Sequence, residues 1–210
     1  IDNVISQTDN RYLDELIAYN KVLVNRNALL KRIADTGRYD PDLLAVFDEQ
    51  LITSGNQIFE KRKAFMESFT EIFNEHYRGL SEQAEQVDLV YESQWLQDDF
   101  ASRLKKNTEK DRAMERTTTG IHRDELQFAI HGMQMKKFGS QGQQKSFLIA
   151  LKFAQYSFLY KQKGFKPLLL LDDIFDEWDD KRVTKLMQMV SNHDFGQVFL
   201  TDTSAAKVEG

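Results

Sequence analysis

The sequence predicts an α/β fold, in which parallel strands with flanking helices follow a long antiparallel hairpin of two helices. Apolar residues recur at a spacing of seven through the first 80 positions, which is typical of long paired helices. Two apolar runs, at 168–171 and 198–200, enclose a segment with the composition of a helix. A strand, a helix and a strand at this spacing predict a βαβ unit in a parallel sheet. The 210 residues are enough to bury a core around it.

Two long helices are predicted for the first part of the chain. The first spans about 1–33 and carries leucines at a spacing of seven: Leu16, Leu23 and Leu30. Gly37 and Pro41 then break the pattern. A second helix is predicted over 42–78, with five apolar residues at the same spacing: Leu44, Leu51, Ile58, Phe65 and Ile72. Helices joined by so short a turn are expected to pack antiparallel, with Gly55 as a candidate kink.

The remaining elements are predicted from alternation, turn residues and apolar runs. In chain order they are a strand at 87–91, a helix from about 96 to 112, a loop at 117–120, strands at 126–130 and 133–137, a helix at 141–163, a strand at 168–171 buried on both faces, a helix at 179–192 and a strand at 198–200. We therefore expect a helical arm over 1–115, whose hairpin ends near residue 80, and an α/β lobe over 116–210.

The composition excludes several kinds of site. The chain contains no Cys, so disulfides, thiolate zinc sites and Cys nucleophiles are excluded within these 210 residues. No apolar run approaches the roughly 18 residues that a membrane span requires, so we expect no membrane association. The formal net charge is −5, which taken alone counts against nucleic-acid binding.

The charge is distributed unevenly along the chain. Residues 1–115 carry 15 basic and 22 acidic side chains, and residues 116–210 carry 13 and 11. No acid occurs between Glu125 and Asp172. Seven lysines lie in that interval: Lys136, Lys137, Lys145, Lys152, Lys161, Lys163 and Lys166. Two interpretations stay open, namely two solvated faces, or an anion-binding segment followed by a cation-binding acidic cluster.

Two segments carry residues suited to phosphate chemistry. The apolar run Leu168–Leu171 is followed at once by Asp172 and Asp173, the pattern of a strand that presents carboxylates to Mg²⁺. The segment 138–144, FGSQGQQ, precedes a long predicted helix, where free N–H groups can bind a phosphate. Each pattern also has an ordinary structural explanation, because acids often end strands and Ser140 is a good helix cap.

The order of these motifs resembles the C-terminal half of an ABC-type ATPase head. Within that superfamily, the strings GIHRDELQF, FGSQGQQK and LLLLDDIFDEWDDKR resemble the RecF family of DNA replication and repair proteins. The string DNRYLDELIAYNKVLVNRNALLK is similar to the helical arm of that family, so the resemblance covers nearly the whole chain. It implies a fold that consists of the second lobe of an ABC-type ATPase head and a long helical-hairpin arm.

The resemblance implies a role for particular residues. Ser140, Gly142 and Gln143 stand at the ABC signature, which contacts the γ-phosphate of a nucleotide held by the opposite subunit. Asp172 matches the Mg²⁺ ligand, and Asp173 matches the acid that polarises the attacking water.

Other positions match further motifs of the family. Asp176 to Asp179 match the D-loop, and Thr201 and Asp202 occupy the switch position, where many ABC proteins have His. His122 and Arg123 match a His-Arg pair, although Ile121 replaces the Pro that precedes it in the family.

One motif of such ATPases is absent from these 210 residues, because nothing matches GxxxxGK[ST]. We therefore expect the chain alone to be inactive and the complete protein to be a weak DNA-dependent ATPase. The resemblance implies ATP and Mg²⁺ as cofactors, an ATP-dependent homodimer, and double-stranded, gapped or junction DNA as a partner. It further implies RecO- and RecR-type mediators as partners and a cytoplasmic, nucleoid-associated location.

Two other functions stay open. The acid-free interval and the arm are compatible with a non-enzymatic module that binds DNA or a protein partner. The acidic cluster Asp172–Asp180 is compatible with a metal-dependent nuclease, because two-metal sites use clustered carboxylates. No His stands beside that cluster, which disfavours the nuclease.

Overall fold

The computed structural model describes residues 1–81, 85–96, 99–172, 180–191 and 195–201. In this part of the chain, no helix is both long enough and apolar enough to cross a membrane. The chain divides into two compact units. The first comprises Ile1–Met66 and Tyr91–Gln127, and the second comprises Glu67–Val90 and Phe128–Gly210.

The described residues form eight α-helices and five strands. In chain order these are α1 (Asp2–Ile5), α2 (Asn10–Thr36), α3 (Pro41–Leu80), β1 (Val87–Glu92), α4 (Phe100–Lys106), α5 (Thr108–Ala113), β2 (Glu125–Ile130), β3 (Met133–Gln134), α6 (Met135–Phe138), α7 (Gln141–Lys163), β4 (Leu169–Leu171), α8 (Asp180–Ser191) and β5 (Val198–Leu200). Short 3₁₀ turns lie at Gln94–Leu96 and Ile121–Arg123. β1, β2 and β3 form one sheet in that order, and β4 pairs with β5 in another.

In the first unit, α2 packs antiparallel to the first part of α3, as the sequence predicts. Gly37 ends α2 in the left-handed conformation, with φ +68°, and Leu30 near that end packs with Leu44 near the start of α3. At the opposite end, Lys61 of α3 forms an ion pair with Asp9, which precedes α2. The hairpin is therefore held at both of its ends.

The start of the chain corrects one prediction, because residues 1–33 do not form a single helix. α1 ends at Ile5, and α2 begins only at Asn10. The Asp9 carboxylate caps α2 by accepting a hydrogen bond from the Tyr12 backbone N–H at 3.0 Å. A capping side chain that offers the backbone an alternative partner breaks the helix at that point.

The buried seam of α2 also differs from the leucine pattern. Four of the buried side chains of α2, Tyr12, Tyr19, Arg26 and Ile33, also recur every seven residues. Leu30 of the predicted stripe is fully buried, and its neighbour Leu29 is almost fully buried. Leu16 and Leu23 are only half-buried. On α3 the predicted positions Leu44, Leu51, Ile58 and Phe65 are buried, and Ile72 is half-buried. The helix period and the burial of Leu30 were therefore predicted correctly, but Tyr12, Tyr19 and Arg26 are more deeply buried than Leu16 and Leu23.

The face of α2 is decided by a buried ionic group. Arg26 has no exposed surface, and its guanidinium donates to Asp48 of α3 and to Asp111 of α5, each at 2.7 Å. It also donates to the Thr117 hydroxyl at 2.9 Å. Asp111 in turn accepts from the backbone N–H of Thr118 at 2.8 Å. These contacts join three helices to the loop that precedes β2.

α3 runs through Gly55, the candidate kink, as a continuous helix. An added Cβ at Gly55 would lie 2.6 Å from Cζ2 of Trp95. The absence of a side chain at Gly55 therefore allows the indole to lie close to the helix backbone. Trp95 also stacks on Phe100, with ring centroids 3.5 Å apart, and donates to Asn56 at 2.5 Å.

The predicted helix from 96 to 112 is broken. α4 ends at Lys106 and α5 begins at Thr108. Asn107 lies between them, and its backbone N–H and its side-chain nitrogen both donate to the carbonyl of Arg103, at 3.1 and 2.9 Å. The predicted strand at 133–137 is likewise shortened to two residues. His131 and Gly132, both with positive φ, form a two-residue hairpin turn, after which the chain enters α6.

In the second unit, α7 supplies much of the core. Phe147 lies 4.7 Å from Phe73 of α3, and Phe153 lies 4.7 Å from Phe195, measured between ring centroids. α7 has the bounds that the sequence predicts, 141–163. It ends at Gly164, which has φ +74°.

The two apolar runs form the predicted parallel pair, in which Leu169, Leu170 and Leu171 lie opposite Val198, Phe199 and Leu200. The prediction that the first run is buried on both faces is wrong in the described residues. Leu169 and Leu171 are buried, but Leu170 is 63% exposed and its neighbour Phe199 is 54% exposed. The described residues thus cover only one face of this sheet.

The Arg26 cluster generates a stability prediction. Changing Asp111 to Asn should lower the free energy of unfolding by about 3–5 kcal/mol, because the Arg26 charge would stay buried without its full complement of anions. Urea denaturation measures this change. The matched control is Glu109→Gln, on the same helix, where an exposed ion pair with Arg112 contributes less than about 1 kcal/mol. Equal effects of the two variants would contradict the assignment.

Candidate nucleotide-contacting site

The first turn of α7 is built by reciprocal capping. We call residues 139–143 the signature segment. The Ser140 hydroxyl accepts from the Gln143 backbone N–H at 3.3 Å, and the Gln143 side-chain oxygen accepts from the Ser140 N–H at 2.8 Å. This capping box satisfies two of the four N–H groups that the start of a helix leaves unpaired. The N–H groups of Gln141 and Gly142 have no intrahelical partner and remain for a ligand.

The signature segment is open to solvent at its cap. Ser140 is exposed, and Gly142 and Gln143 are half-buried. Because the Ser140 oxygen accepts from Gln143, its own proton stays available for donation to an anion. The hydroxyl and the two backbone N–H groups lie at the positive end of a 23-residue helix, where a negative charge is stabilised.

Gln143 makes a further contact outside the capping box. Its side-chain nitrogen donates to Glu85 at 3.0 Å, and the Tyr77 hydroxyl donates to the other oxygen of Glu85 at 2.6 Å. Both groups of the Gln143 amide are therefore engaged. Sequence reasoning assigned Gln143 to the nucleotide and missed Glu85, because nothing local links a residue of the α3–β1 connection to α7.

Asp172 and Thr201 lie side by side at the carboxyl ends of β4 and β5. The Leu171–Leu200 register places the two residues opposite each other, and the Thr201 hydroxyl donates to Oδ1 of Asp172. The backbone N–H of Thr201 donates to the carbonyl of Leu171 at 3.0 Å. The sequence named both residues, and the structure adds their direct contact.

The donor set at Asp172 fits a hard divalent ion. The carboxylate is exposed, and within the described residues only one of its oxygens has a hydrogen-bond partner. Mg²⁺ is commonly bound by one or two carboxylates together with phosphate oxygens and water, so a full protein cage is not needed. The described residues contain no group of three or more His, Asp or Glu placed to hold a metal.

Four predicted site residues, Asp173, Asp176, Asp179 and Asp202, lie outside the described residues. The same holds for most of the acidic cluster on which the nuclease interpretation depended. The water-polarising, D-loop and switch assignments of these four residues therefore stay predictions.

His122 has a structural environment in the first unit. Its Nε2 donates to the carbonyl of Thr117 at 3.2 Å, so its Nδ1 accepts from the Tyr19 hydroxyl at 3.0 Å. Gly120 permits this arrangement, since an added Cβ would lie 2.4 Å from the Tyr19 hydroxyl oxygen. Burial lowers the pKa of His122 below its usual range, so the ring stays neutral at physiological pH.

Arg123, the neighbour of His122, is exposed instead. It lines a surface cavity of about 300 Å³ together with Tyr91, Gln94 and Glu125. The two residues of the predicted His-Arg pair thus have different surroundings. His122 is hydrogen-bonded inside the first unit, and Arg123 lines a cavity that is open to solvent.

The fold and the capped helix define a class of protein. The chain contains an α/β unit with a strand followed by Asp172, a helix that begins at a Ser-x-Gly-Gln turn, and a long antiparallel hairpin. This is the fold of the second lobe of an ABC-type ATPase head with its arm.

Comparison with known proteins confirms the predicted resemblance to RecF. The chain is 52% identical over 209 residues to the DNA replication and repair protein RecF of Flavobacterium johnsoniae, covering 100% of the chain and 58% of that protein. It is 46% identical over 204 residues to RecF of Parabacteroides distasonis, covering 97% of the chain and 55% of the relative. The chain thus spans a little over half the length of these relatives. No protein-family model matches it.

Solved structures agree with the sequence comparison. A structure of the recombination mediator protein RecF-ATPrS in the RecFOR pathway superposes with a TM-score of 0.82 at 29% identity, covering 97% of this chain and 56% of that one. The corresponding RecF-ATP structure gives the same TM-score, identity and coverage. The agreement in fold therefore extends over nearly the whole of this chain.

The environment of His122 generates a pH prediction. Because the pKa of His122 is lowered in the folded state, the unfolded chain binds a proton below about pH 6.5 more readily than the folded chain does. The free energy of unfolding therefore falls as the pH is lowered. The stability advantage of the wild type over His122→Gln should therefore shrink from about pH 7 to about pH 5. Urea denaturation across this range measures it.

His131→Asn, at the exposed hairpin turn, is the control, and its difference from the wild type should not follow the same trend. An advantage over His122→Gln that stays constant or grows on acidification would contradict a neutral, half-buried His122.

Proposed function

We propose that this chain forms the arm and second lobe of a RecF-like DNA repair ATPase, which binds ATP and Mg²⁺ and dimerises on the nucleotide. One observation carries the proposal. A single unit contains both a long helix whose capped first turn keeps free N–H donors and a parallel strand that ends in an exposed carboxylate beside a hydroxyl. These are the donors and the acceptor that a nucleotide phosphate and its metal ion need.

In this proposal the signature segment serves a nucleotide held by a second subunit. Ser140 and the N–H group of Gly142 contact the terminal phosphate, and Gln143 shapes the turn through its side chain. Asp172 holds Mg²⁺, and Asp173 polarises the attacking water. Asp176 and Asp179 act in the D-loop. Thr201 orients the Asp172 carboxylate, and Asp202 takes the switch position without supplying a proton donor at neutral pH.

In this proposal the phosphate loop that these 210 residues lack lies elsewhere in the complete protein. The exposed face of Leu170 and Phe199 supports this proposal, because a parallel sheet in an α/β protein is normally covered on both faces. The complete protein would bind double-stranded, gapped or junction DNA in the nucleoid of the cytoplasm. It would act with RecO- and RecR-type mediators, in keeping with relatives described as acting in DNA replication and repair.

The ATPase proposal is tested in the complete protein that contains this sequence. Asp172→Ala should abolish Mg²⁺-dependent ATP hydrolysis, and Asp173→Asn should lower kcat by at least about 100-fold, because each removes a group that acts on the transition state. Steady-state phosphate release measures both effects. Asp35→Asn, an exposed acid near the end of α2, is the control. Turnover that survives Asp172→Ala would overturn the proposal.

A second candidate function is DNA binding without catalysis. The observation that favours it is the acid-free interval, in which Lys136, Lys137, Lys161, Lys163 and Lys166 are exposed. Lys136 and Lys137 stand on α6, directly before the signature segment, so DNA and nucleotide would bind close together along the chain.

This second candidate predicts salt-dependent binding of duplex DNA. Replacing Lys136 and Lys137 by Glu should weaken binding and reduce the slope of log affinity against log salt by about 2, because two phosphate contacts are lost. Fluorescence anisotropy at several salt concentrations measures both quantities. Replacing Lys21 and Lys31 of α2 by Glu is the charge-matched control. This function would be excluded if the affinity for DNA were unchanged by the replacements at Lys136 and Lys137, or if no binding were found at low salt.

A further inference from the structure

A chain of hydrogen bonds connects the last turns of α3 with the first turn of α7. The Tyr77 hydroxyl donates to Glu85, the Gln143 side-chain nitrogen donates to the other oxygen of Glu85, and the Gln143 side-chain oxygen accepts from the Ser140 N–H. The three distances are 2.6, 3.0 and 2.8 Å. All four residues belong to the second unit.

The chemistry of the partners gives the Gln143 amide one orientation. The Ser140 N–H can only donate, so the group that faces it is the amide oxygen. An ionised Glu85 can only accept, so the group that faces it is the amide nitrogen. If the amide were flipped, its nitrogen would face the Ser140 N–H, which is also a donor, and its oxygen would face the Glu85 carboxylate, which is also an acceptor. Glu85 therefore selects the orientation of Gln143 that closes the capping box.

The other end of the chain is anchored in the core. Tyr77 has no exposed surface, and its ring lies 6.0 Å from the rings of both Phe73 and Phe147. Burial and the neighbouring Glu85 raise the pKa of the Tyr77 hydroxyl, so it stays a donor at physiological pH. Glu85 is thus held by a side chain that is itself fixed by packing in the core.

We propose that Glu85 is a positioning residue for the signature segment. By holding Gln143 it keeps the Ser140 hydroxyl and the free N–H groups of the first turn of α7 in the arrangement that receives a phosphate. Tyr77 makes this arrangement depend on the last turns of α3. The inference rests on the proposed function, because it assigns a supporting residue to the same nucleotide-contacting site.

The inference differs from ordinary helix capping in what it predicts for Glu85. Ser140 and Gln143 form the box with each other, so α7 should still fold when Glu85 is replaced. What should change is the order of its first turn and the rate of a reaction that needs that turn aligned. Loss of one hydrogen bond to a charged group corresponds to a factor of about ten.

The experiment compares Glu85→Ala, Glu85→Gln and Tyr77→Phe in the complete protein. Glu85→Ala should speed amide exchange of Ser140, Gln143 and Gln144, whose N–H groups are hydrogen-bonded within this turn, by about tenfold. It should also lower kcat for ATP by about tenfold, with KM changed less than about twofold. Tyr77→Phe should act in the same direction with a smaller effect. Glu85→Gln should behave almost as the wild type, because its amide can accept from Gln143 and donate to the Tyr77 oxygen.

Glu92→Ala is the matched control, because it removes a Gln–Glu hydrogen bond of the same kind, to Gln127 at 2.8 Å, in the first unit. Unchanged exchange in Glu85→Ala overturns the inference. Faster exchange with unchanged kcat in an active protein overturns the positioning role, as does an equal loss of kcat in Glu92→Ala. Hydrolysis in the wild type that does not depend on Asp172 overturns the proposed function instead, and the exchange measurement then still tests the Glu85–Gln143 link.

Discussion

The guanidinium of Arg26 is the group around which the first unit is arranged. It lies on the buried face of α2, where Asp48 of α3 and Asp111 of α5 neutralise it and the Thr117 hydroxyl accepts from it. A charge without exposed surface requires partners in fixed positions, since each unpaired buried ion costs several kcal/mol. The two acids come from different helices, and Asp111 also holds the backbone of the loop that leads to β2. One residue thereby determines which face of α2 is internal and where this loop lies.

The second unit uses side-chain hydrogen bonds for a comparable task. At the start of α7 some backbone N–H groups are bound within the protein and others are left for a ligand. Ser140 and Gln143 satisfy each other, and Glu85 holds Gln143 from the side. The N–H groups of Gln141 and Gly142 are left over, at the positive end of a long helix. A turn that is already ordered can receive an anion without first paying the entropy of ordering itself. At the strand ends, Thr201 orients the Asp172 carboxylate in the same way.

Several elements could be predicted from local pattern, and the exceptions share a cause. α7 was predicted with its observed bounds, because an apolar face, a Ser cap and a final Gly are all local signals. The parallel strands β4 and β5 were predicted from two short apolar runs. The buried face of α2 was only partly predicted, because Leu30 is buried but Tyr12, Tyr19 and Arg26 are more deeply buried than Leu16 and Leu23. Hydrophobicity favoured the leucines, whereas the acids that make burial of Arg26 favourable are 22 and 85 residues away.

The sequence by itself determined the order of the elements, the resemblance to RecF and the residue types of the candidate site, because these depend on spacing along the chain. Ser140, Gly142, Asp172 and Thr201 could all be named before any fold was known. Only the tertiary structure decided that Thr201 donates to Asp172, that Tyr19 holds His122 and that Glu85 holds Gln143. Each of these contacts joins residues between 29 and 103 positions apart. A hydrogen bond depends on a separation of about 3 Å in space, which no periodicity of the sequence encodes.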